Sequence, residues 1–202
     1  MKKLLLATTN KGKIGEYRYL FRDLSFEIVS PMQENMDIDV DEKYITLEEN
    51  ARQKALEYAE RIGIITVADD SGLEVDALGG EPGVRSSRYA GEGASDEDRV
   101  NYLLSKMEGV PPEKRTARFR CVIAIADKNG IKAVCNGECN GTIALEPKGE
   151  NGFGYDPVFF LPGLNKTLAE LDTETKNALS HRASAAREAG PILSRLAEEI
   201  VQ

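Results

Sequence analysis

The sequence predicts an α/β fold, a mixed twisted β-sheet flanked by helices, and three observations carry that prediction. Short apolar runs alternate with segments of helical period through the first half of the chain. A group of strand-like runs around Lys128-Asn129-Gly130 then reads as a meander. The chain closes on a helical tail from Ser180.

Each element has its own signal. Leu4-Leu5-Leu6-Ala7 is a buried strand, and Ile14, Tyr17, Leu20 or Phe21, and Leu24 recur with helical spacing after it. Phe26 to Ser30 is a second strand. Thr46-Leu47-Glu48-Glu49 is a capping-box pattern that opens a helix running to about Arg61. Ile64 to Ala68 is β-branched and apolar, and it is expected to end at Asp69-Asp70-Ser71-Gly72. Gly79 to Gly93 reads as an ordered loop. Ser95-Asp96-Glu97-Asp98 caps a helix whose inner face is Val100, Leu103, Leu104 and Met107. Ala117 to Ala126 is a strand, Lys128-Asn129-Gly130 a hairpin turn, and Ile131 to Cys135 and Gly141 to Leu145 continue the meander. Gly149 to Pro157 is a glycine-rich loop with a strand, Val158 to Leu161, behind it. Pro191 is expected to kink or divide the last helix.

At 202 residues and 41% apolar content the chain suits one domain, or one domain of two lobes. A net charge of −8 argues against a nucleic-acid polymer, which needs a basic face. Any phosphate site must therefore be a local basic pocket. No apolar run approaches a membrane span, and Met1-Lys2-Lys3 precedes too short an apolar stretch for a signal peptide. The expected location is cytoplasmic. Cys121, Cys135 and Cys139 form no C-x-x-C pair, so they are expected to be reduced structural thiols, with Cys121 in the core.

Thr8-Thr9-Asn10-Lys11-Gly12-Lys13 joins the first strand to the first helix. Free amides and the positive helix end suit a phosphate there, and Lys11 and Lys13 add charge. The spacing is not that of a Walker A loop. Asp69-Asp70 ends a buried strand, where adjacent carboxylates are costly without compensation. A hard cation such as Mg²⁺ supplies it; a turn capped by Asp serves the spacing equally well. The basic phosphate loop elsewhere favours the metal. Glu42 can complete a metal shell or simply belong to the solvated acidic run from Asp37, and the capping box already accounts for Glu49. In Gly152-Phe153-Gly154-Tyr155-Asp156-Pro157 the glycines permit close backbone approach, and Phe153 offers a face for stacking on a base or for closing a core. Lys176, His181 and Arg182 stand near the start of the last helix. Lys and Arg only donate hydrogen bonds, which suits carbonyl oxygens on a ligand, whereas a lone His is more often structural.

Taken together, Thr8 to Lys13, Glu48-Glu49-Asn50-Ala51, Ala68-Asp69-Asp70-Ser71-Gly72-Leu73, Gly152 to Pro157 and Ser180-His181-Arg182 closely resemble the Ham1 family of inosine/xanthosine triphosphate pyrophosphatases. The resemblance covers essentially the whole chain, 1–202, as one domain. It implies hydrolysis of ITP, dITP and XTP to the monophosphate and pyrophosphate, dependence on Mg²⁺, a homodimer, and an elongated fold with a cleft between two lobes. It also implies roles. Thr8, Thr9, Asn10, Lys11, Gly12 and Lys13 bind the triphosphate, with Lys13 stabilising developing charge. Glu42 and Asp70 hold the metal, although Lys43-Tyr44 departs from the small residues common beside that carboxylate. Asp70 accepts the proton, and Ser71 touches substrate. Phe153, Gly154, Tyr155, Asp156, Lys176, His181 and Arg182 form the base pocket, where Lys176 or Arg182 donates to the six-carbonyl of hypoxanthine or xanthine and meets adenine's amino donor unfavourably.

Two other functions compete. A Maf-like pyrophosphatase shares the phosphate-loop logic, but Phe153 and His181-Arg182 argue against it. A nucleotide sensor without turnover has no need of Asp69-Asp70 beside a phosphate loop.

Overall fold

The computed structural model describes residues 2–34, 40 and 44–199. The first apolar run forms β1 (Lys2–Leu6), in which Leu4, Leu5 and Leu6 are completely buried, as a strand covered on both faces requires. Next come α1 (Lys11–Leu20), β2 (Phe26–Val29), α2 (Leu47–Ile62) and β3 (Ile65–Val75). Then follow α3 (Asp96–Lys106), β4 (Thr116–Asp127), β5 (Gly130–Ile143), β6 (Phe159–Leu161), β7 (Lys166–Thr167), α4 (Thr173–Leu179) and α5 (His181–Glu199). The strands make one mixed sheet in the order β2-β1-β3-β4-β5-β6-β7. β1 runs parallel to β2 and β3, while β6 is antiparallel to β5 and β7.

The chain forms two compact units. One comprises Met1–Asp70, Cys121–Gly137 and Arg182–Gln202; the other comprises Ser71–Arg120 and Glu138–His181. The boundaries therefore cut two of the motifs, between Asp70 and Ser71 and between His181 and Arg182. In the first unit Tyr17 of α1, Phe21 at its C-terminal cap, and Ala185, Ala189 and Leu193 of α5 pack with Leu4, Leu6, Val67, Ile123 and Ile125. In the second, Leu103 of α3 and Met107 at its C-terminal cap pack with Leu73, Val75, Phe119, Phe159 and Leu168. Burying each leucine, isoleucine, valine, methionine or phenylalanine contributes about 1.5–3 kcal/mol.

The helix starts follow the sequence. Thr46 accepts from the Glu49 amide at 3.2 Å, but its hydroxyl donates to the Glu49 carboxylate, so only half of the expected box forms. The box at Ser95 and Asp98 is complete. All three cysteines are buried free thiols.

Several elements differ from expectation. β3 does not stop at Ala68; it continues through Asp69-Asp70-Ser71-Gly72 to Val75 because Leu73 and Val75 are both fully buried and extend the strand's core face. The carboxylates are thus mid-strand, not at a turn. Gly72 serves close packing: a Cβ there would lie 2.3 Å from the Gly83 carbonyl oxygen and 3.2 Å from Ser86 Oγ. The stretch from Gly79 contains a 3₁₀ segment, Gly83–Arg88. β5 is one strand, since Cys135 and Cys139 point inward while Asn136 and Asn140 take exposed positions. Lys176 belongs to a separate helix, α4, and Ser180 divides it from α5. Pro191 lies inside α5 without ending it. The lost bond is offset by Ala185, Ala186, Ala189 and Leu193, which hold the helix to the core on both sides of the proline.

Gly72→Ala should destabilise the protein by about 1–3 kcal/mol through overpacking against the Gly83 carbonyl. Urea unfolding measures this. An unchanged midpoint would show that the 83–86 segment yields without strain.

Candidate active site

The phosphate-loop residues are set by the cap of α1. Asn10 Oδ1 accepts from the Lys13 amide at 3.1 Å, and its own amide donates to Thr8 Oγ1 at 3.2 Å. The helix begins at Lys11, three residues before the first apolar position of the stripe. Its first turn carries no acidic side chain, and Lys11 and Lys13 flank Gly12. Thr9, Asn10 and Lys11 are exposed, with Thr8, Gly12 and Lys13 half-buried. These first-turn amides lack helical partners by geometry, so the turn presents donors and positive charge to an anion.

The sheet register brings this turn to the carboxylates. Leu6 lies opposite Val67, and the Ala7 amide donates to the Val67 carbonyl at 2.8 Å. The loop leaving β1 therefore starts level with Asp69 in β3. Asp69 is buried, and its Oδ2 lies 2.9 Å from Lys13 Nζ and 3.5 Å from Arg182 Nε. Burial alone would raise the Asp69 carboxyl, but Lys13, Arg182 and the charge of Lys54 hold it below the usual range. Arg182 also donates through Nη1 to Glu16 Oε2 at 3.0 Å, in a pair buried on both sides. Burial opposes the Arg182 charge, and the Glu16 and Asp69 carboxylates outweigh it and raise its pKa. Cys121, buried beside this network with Sγ 3.5 Å from Tyr17 Oη, is pushed up to about 12 by burial and is a neutral thiol.

Asp70 faces the other way, as alternation along a strand requires. Its Oδ2 accepts from Asn50 Nδ2 at 3.0 Å. The same carboxamide accepts from the Tyr44 amide at 3.0 Å and donates to the Tyr44 carbonyl at 3.3 Å. Asn50 thus ties Asp70 to the backbone two residues beyond Glu42. Glu42 itself lies outside the described residues. Among the described residues no group of three or more His, Cys, Asp or Glu gathers for a metal.

The residues of the second unit expected at the base form their own cluster. Asp156 Oδ2 accepts from Lys176 Nζ at 2.5 Å and from the Phe153 amide at 2.9 Å. Lys176 Nζ lies 4.8 Å from the Phe153 ring centroid. Gly152 has φ +79°, and a Cβ there would lie 2.1 Å from Asp156 Oδ2; this is why the loop needs glycine before Phe153. Gly154, at φ +64°, donates its amide to Asp96 Oδ2 at 2.7 Å. Tyr155 Oη donates to the Ser86 carbonyl at 2.8 Å, and burial pushes the phenol pKa up. His181 is buried with its ring 4.7 Å from that of Phe119, nearly parallel. Ser71 is half-buried in β3.

The structure thus joins Lys13 to Asp69, and Phe153, Asp156 and Lys176 to one another. Arg182, expected with the base residues, pairs with Glu16 and Asp69. Sequence reasoning assigned no site role to Glu16, Asn50, Lys54 or Asp96. Spacing held a signal for Lys54, one helical turn from Asn50, and for Glu16, one turn beyond Gly12 and Lys13.

The chain matches the family model described as Ham1 family over residues 4–191. It is 51% identical over 194 residues to a dITP/XTP pyrophosphatase of Desulforamulus reducens, with 96% of each chain covered. Among solved structures it is similar to a HAM1 protein from Coxiella burnetii, with TM-score 0.86, 41% identity, and 96% of this chain and 100% of that one covered. The Staphylococcus aureus Ham1 protein matches with TM-score 0.84 and 41% identity over 95% of this chain and 98% of that one.

The depressed Asp69 pKa has a consequence for stability. Its contribution is complete above the unfolded carboxyl value, near 3.8, and is lost as pH falls through the lower folded value. Asp69→Asn leaves Lys13 and Arg182 without their shared carboxylate and should cost about 3–5 kcal/mol at neutral pH. Urea titrations should show the gap from wild type closing in strong acid. A gap that persists there would mean that Asp69 is not the ionised partner.

Proposed function

The chain belongs to the Ham1 family, and on that premise we propose that it hydrolyses non-canonical purine nucleoside triphosphates (ITP, dITP and XTP) to the monophosphate and pyrophosphate, clearing them from the nucleotide pool. The observation that carries the reading is the acid-free basic turn of α1 beside two differently partnered carboxylates. Asp69 is neutralised by cations, and Asp70 is held by an amide.

Thr8 to Lys13 take the triphosphate. Lys13, fixed by Asp69, places its charge where negative charge develops on the phosphate oxygens. Asp70 orients the attacking water and receives its proton. The water oxygen bonds to the α-phosphorus, the bond from that phosphorus to the bridging oxygen breaks, and pyrophosphate leaves. Ser71, next in the strand, touches the substrate.

The donor chemistry fits Mg²⁺. Asp70 is a buried carboxylate beside the Asn50 carboxamide, so it offers a hard oxygen donor. Mg²⁺ takes one or two carboxylates and completes its shell with water and phosphate. Asp70 and Glu42 would hold it, and it would neutralise triphosphate charge when bound.

At the other end of the substrate, Phe153 stacks on the purine, and Gly154, Tyr155 and Asp156 shape the loop around it. Lys176 donates to the six-carbonyl, together with His181 and Arg182. An ammonium cannot accept from adenine's amino group, so ATP leaves a buried donor unpaired at about 1–3 kcal/mol. No described helix is long and apolar enough to cross a membrane. A soluble nucleotide substrate supports a cytoplasmic location, and the family resemblance supports a homodimer, which light scattering tests.

Asp70→Asn should retain the wild-type fold by circular dichroism while losing at least about a thousandfold in kcat on ITP, the loss expected when a group central to the chemistry is removed. Near-normal turnover with Mg²⁺ would remove Asp70 from the mechanism. Phe153→Ala should lower kcat/KM for ITP and GTP to similar degrees, since every base has a π face; a loss limited to ITP would assign Phe153 to edge recognition instead.

A further inference from the structure

We infer that Asp96 is a positioning residue for base binding: it fixes the Phe153 loop through the Gly154 amide. The inference rests on the base-stacking role given to Phe153 above. Asp96 is the first residue of α3, 58 positions from Gly154 in sequence. Its two carboxylate oxygens have separate tasks. Oδ2 accepts from the Gly154 amide at 2.7 Å, and Oδ1 pairs with Arg99. Arg99 is itself anchored by the Ala94 carbonyl at 2.6 Å and the Ser87 carbonyl at 2.9 Å. The carboxylate is therefore aimed before the loop reaches it.

The loop needs that anchor. Gly152 and Gly154 both have positive φ, so the peptides on either side of Phe153 have the conformational freedom of glycine. Asp156 restrains the Phe153 amide and is tied in turn to Lys176 of α4 and to the Ala169 amide, so it holds the side of the loop that faces α4. On the far side of Phe153 the tip is held by bonds from Gly154 to Asp96 and from Tyr155 to the Ser86 carbonyl. Ser86 is secured in turn, accepting from the Leu73 amide at 2.9 Å and donating to the Gly83 carbonyl at 2.6 Å. The bond to Asp96 is the charge-assisted one, so it is the stronger restraint. Phe153 stands directly between the amide held by Asp96 and the glycine packed on Asp156. Loss of Asp96 lets the ring leave its stacking position, and a ligand must then order the loop at its own expense in affinity.

The alternative is that Asp96 only supplies negative charge to the start of α3 and to Arg99. Asp96→Asn separates the two roles, because a carboxamide oxygen still accepts from Gly154 but carries no charge. Inhibition of ITP hydrolysis by IMP and by pyrophosphate reads the two ends of the substrate separately. Asp96→Ala should raise KM for ITP and the inhibition constant for IMP about tenfold, the scale of one charge-assisted hydrogen bond. It should leave pyrophosphate inhibition and kcat within about twofold of wild type. Asp96→Asn should recover most of the IMP affinity. If Asp96→Ala does not fold by circular dichroism, Asp96→Ser, which suits a helix start but has a shorter side chain, takes its place. Equal impairment in Asp96→Asn and Asp96→Ala, parallel loss of IMP and pyrophosphate, or unchanged IMP affinity would each overturn the inference. Wild-type enzyme that fails to hydrolyse ITP in the same assay would overturn the functional reading and this inference together, whereas normal wild-type turnover with unchanged IMP affinity in Asp96→Ala would overturn the inference alone.

Discussion

A buried carboxylate in the middle of a strand is the constraint on which the site depends. Asp69 sits where a parallel strand needs apolar residues, and an ionised group there is tolerated only with close counter-charges. Lys13 and Arg182 provide them. This requirement fixes three elements at once. The turn after β1 must bring Lys13 to β3, α5 must begin with Arg182 facing the same strand, and Glu16 must follow on α1 to balance the second cation. Lys13, the lysine proposed to face the triphosphate, is thereby held by Asp69.

The same economy of charge appears around Phe153. Asp156 is buried with Lys176, and its second bond, to the Phe153 amide, converts an ion pair into a restraint on the loop. Both clusters use a cation–carboxylate pair to hold a local element, a helix start in one case and an aromatic loop in the other. In the second, glycine is required where the Asp156 carboxylate comes close to Gly152.

Much of this was legible in the sequence. Apolar runs and helical stripes located β1, α1, α2 and α3, and Thr46 and Ser95 marked two helix starts because capping is a local interaction. The basic turn at Lys11 to Lys13 and the glycines on either side of Phe153 were legible from residue type and position. What was hidden was non-local. Asp69-Asp70 reads as the end of a strand until Leu73 and Val75 are seen buried beyond it. The ion pairs of Arg182 with Glu16 and Asp69 span 166 and 113 positions of sequence, beyond any local signal. Pro191 was given its intrinsic helix-breaking weight, which the packing of α5 overrides. Asp96 looked like a residue of a helix cap because nothing local announces Gly154 as its partner.

The central claim is that Lys13, held by Asp69, serves the phosphates common to all nucleotides and takes no part in choosing the base. The direct test is kcat/KM of Lys13→Ala for ITP, XTP and ATP, measured by pyrophosphate release. The account predicts a loss of similar factor for all three, with the ITP-to-ATP preference unchanged. A loss confined to ITP and XTP would contradict it, and would put Lys13 at the base instead of the phosphates.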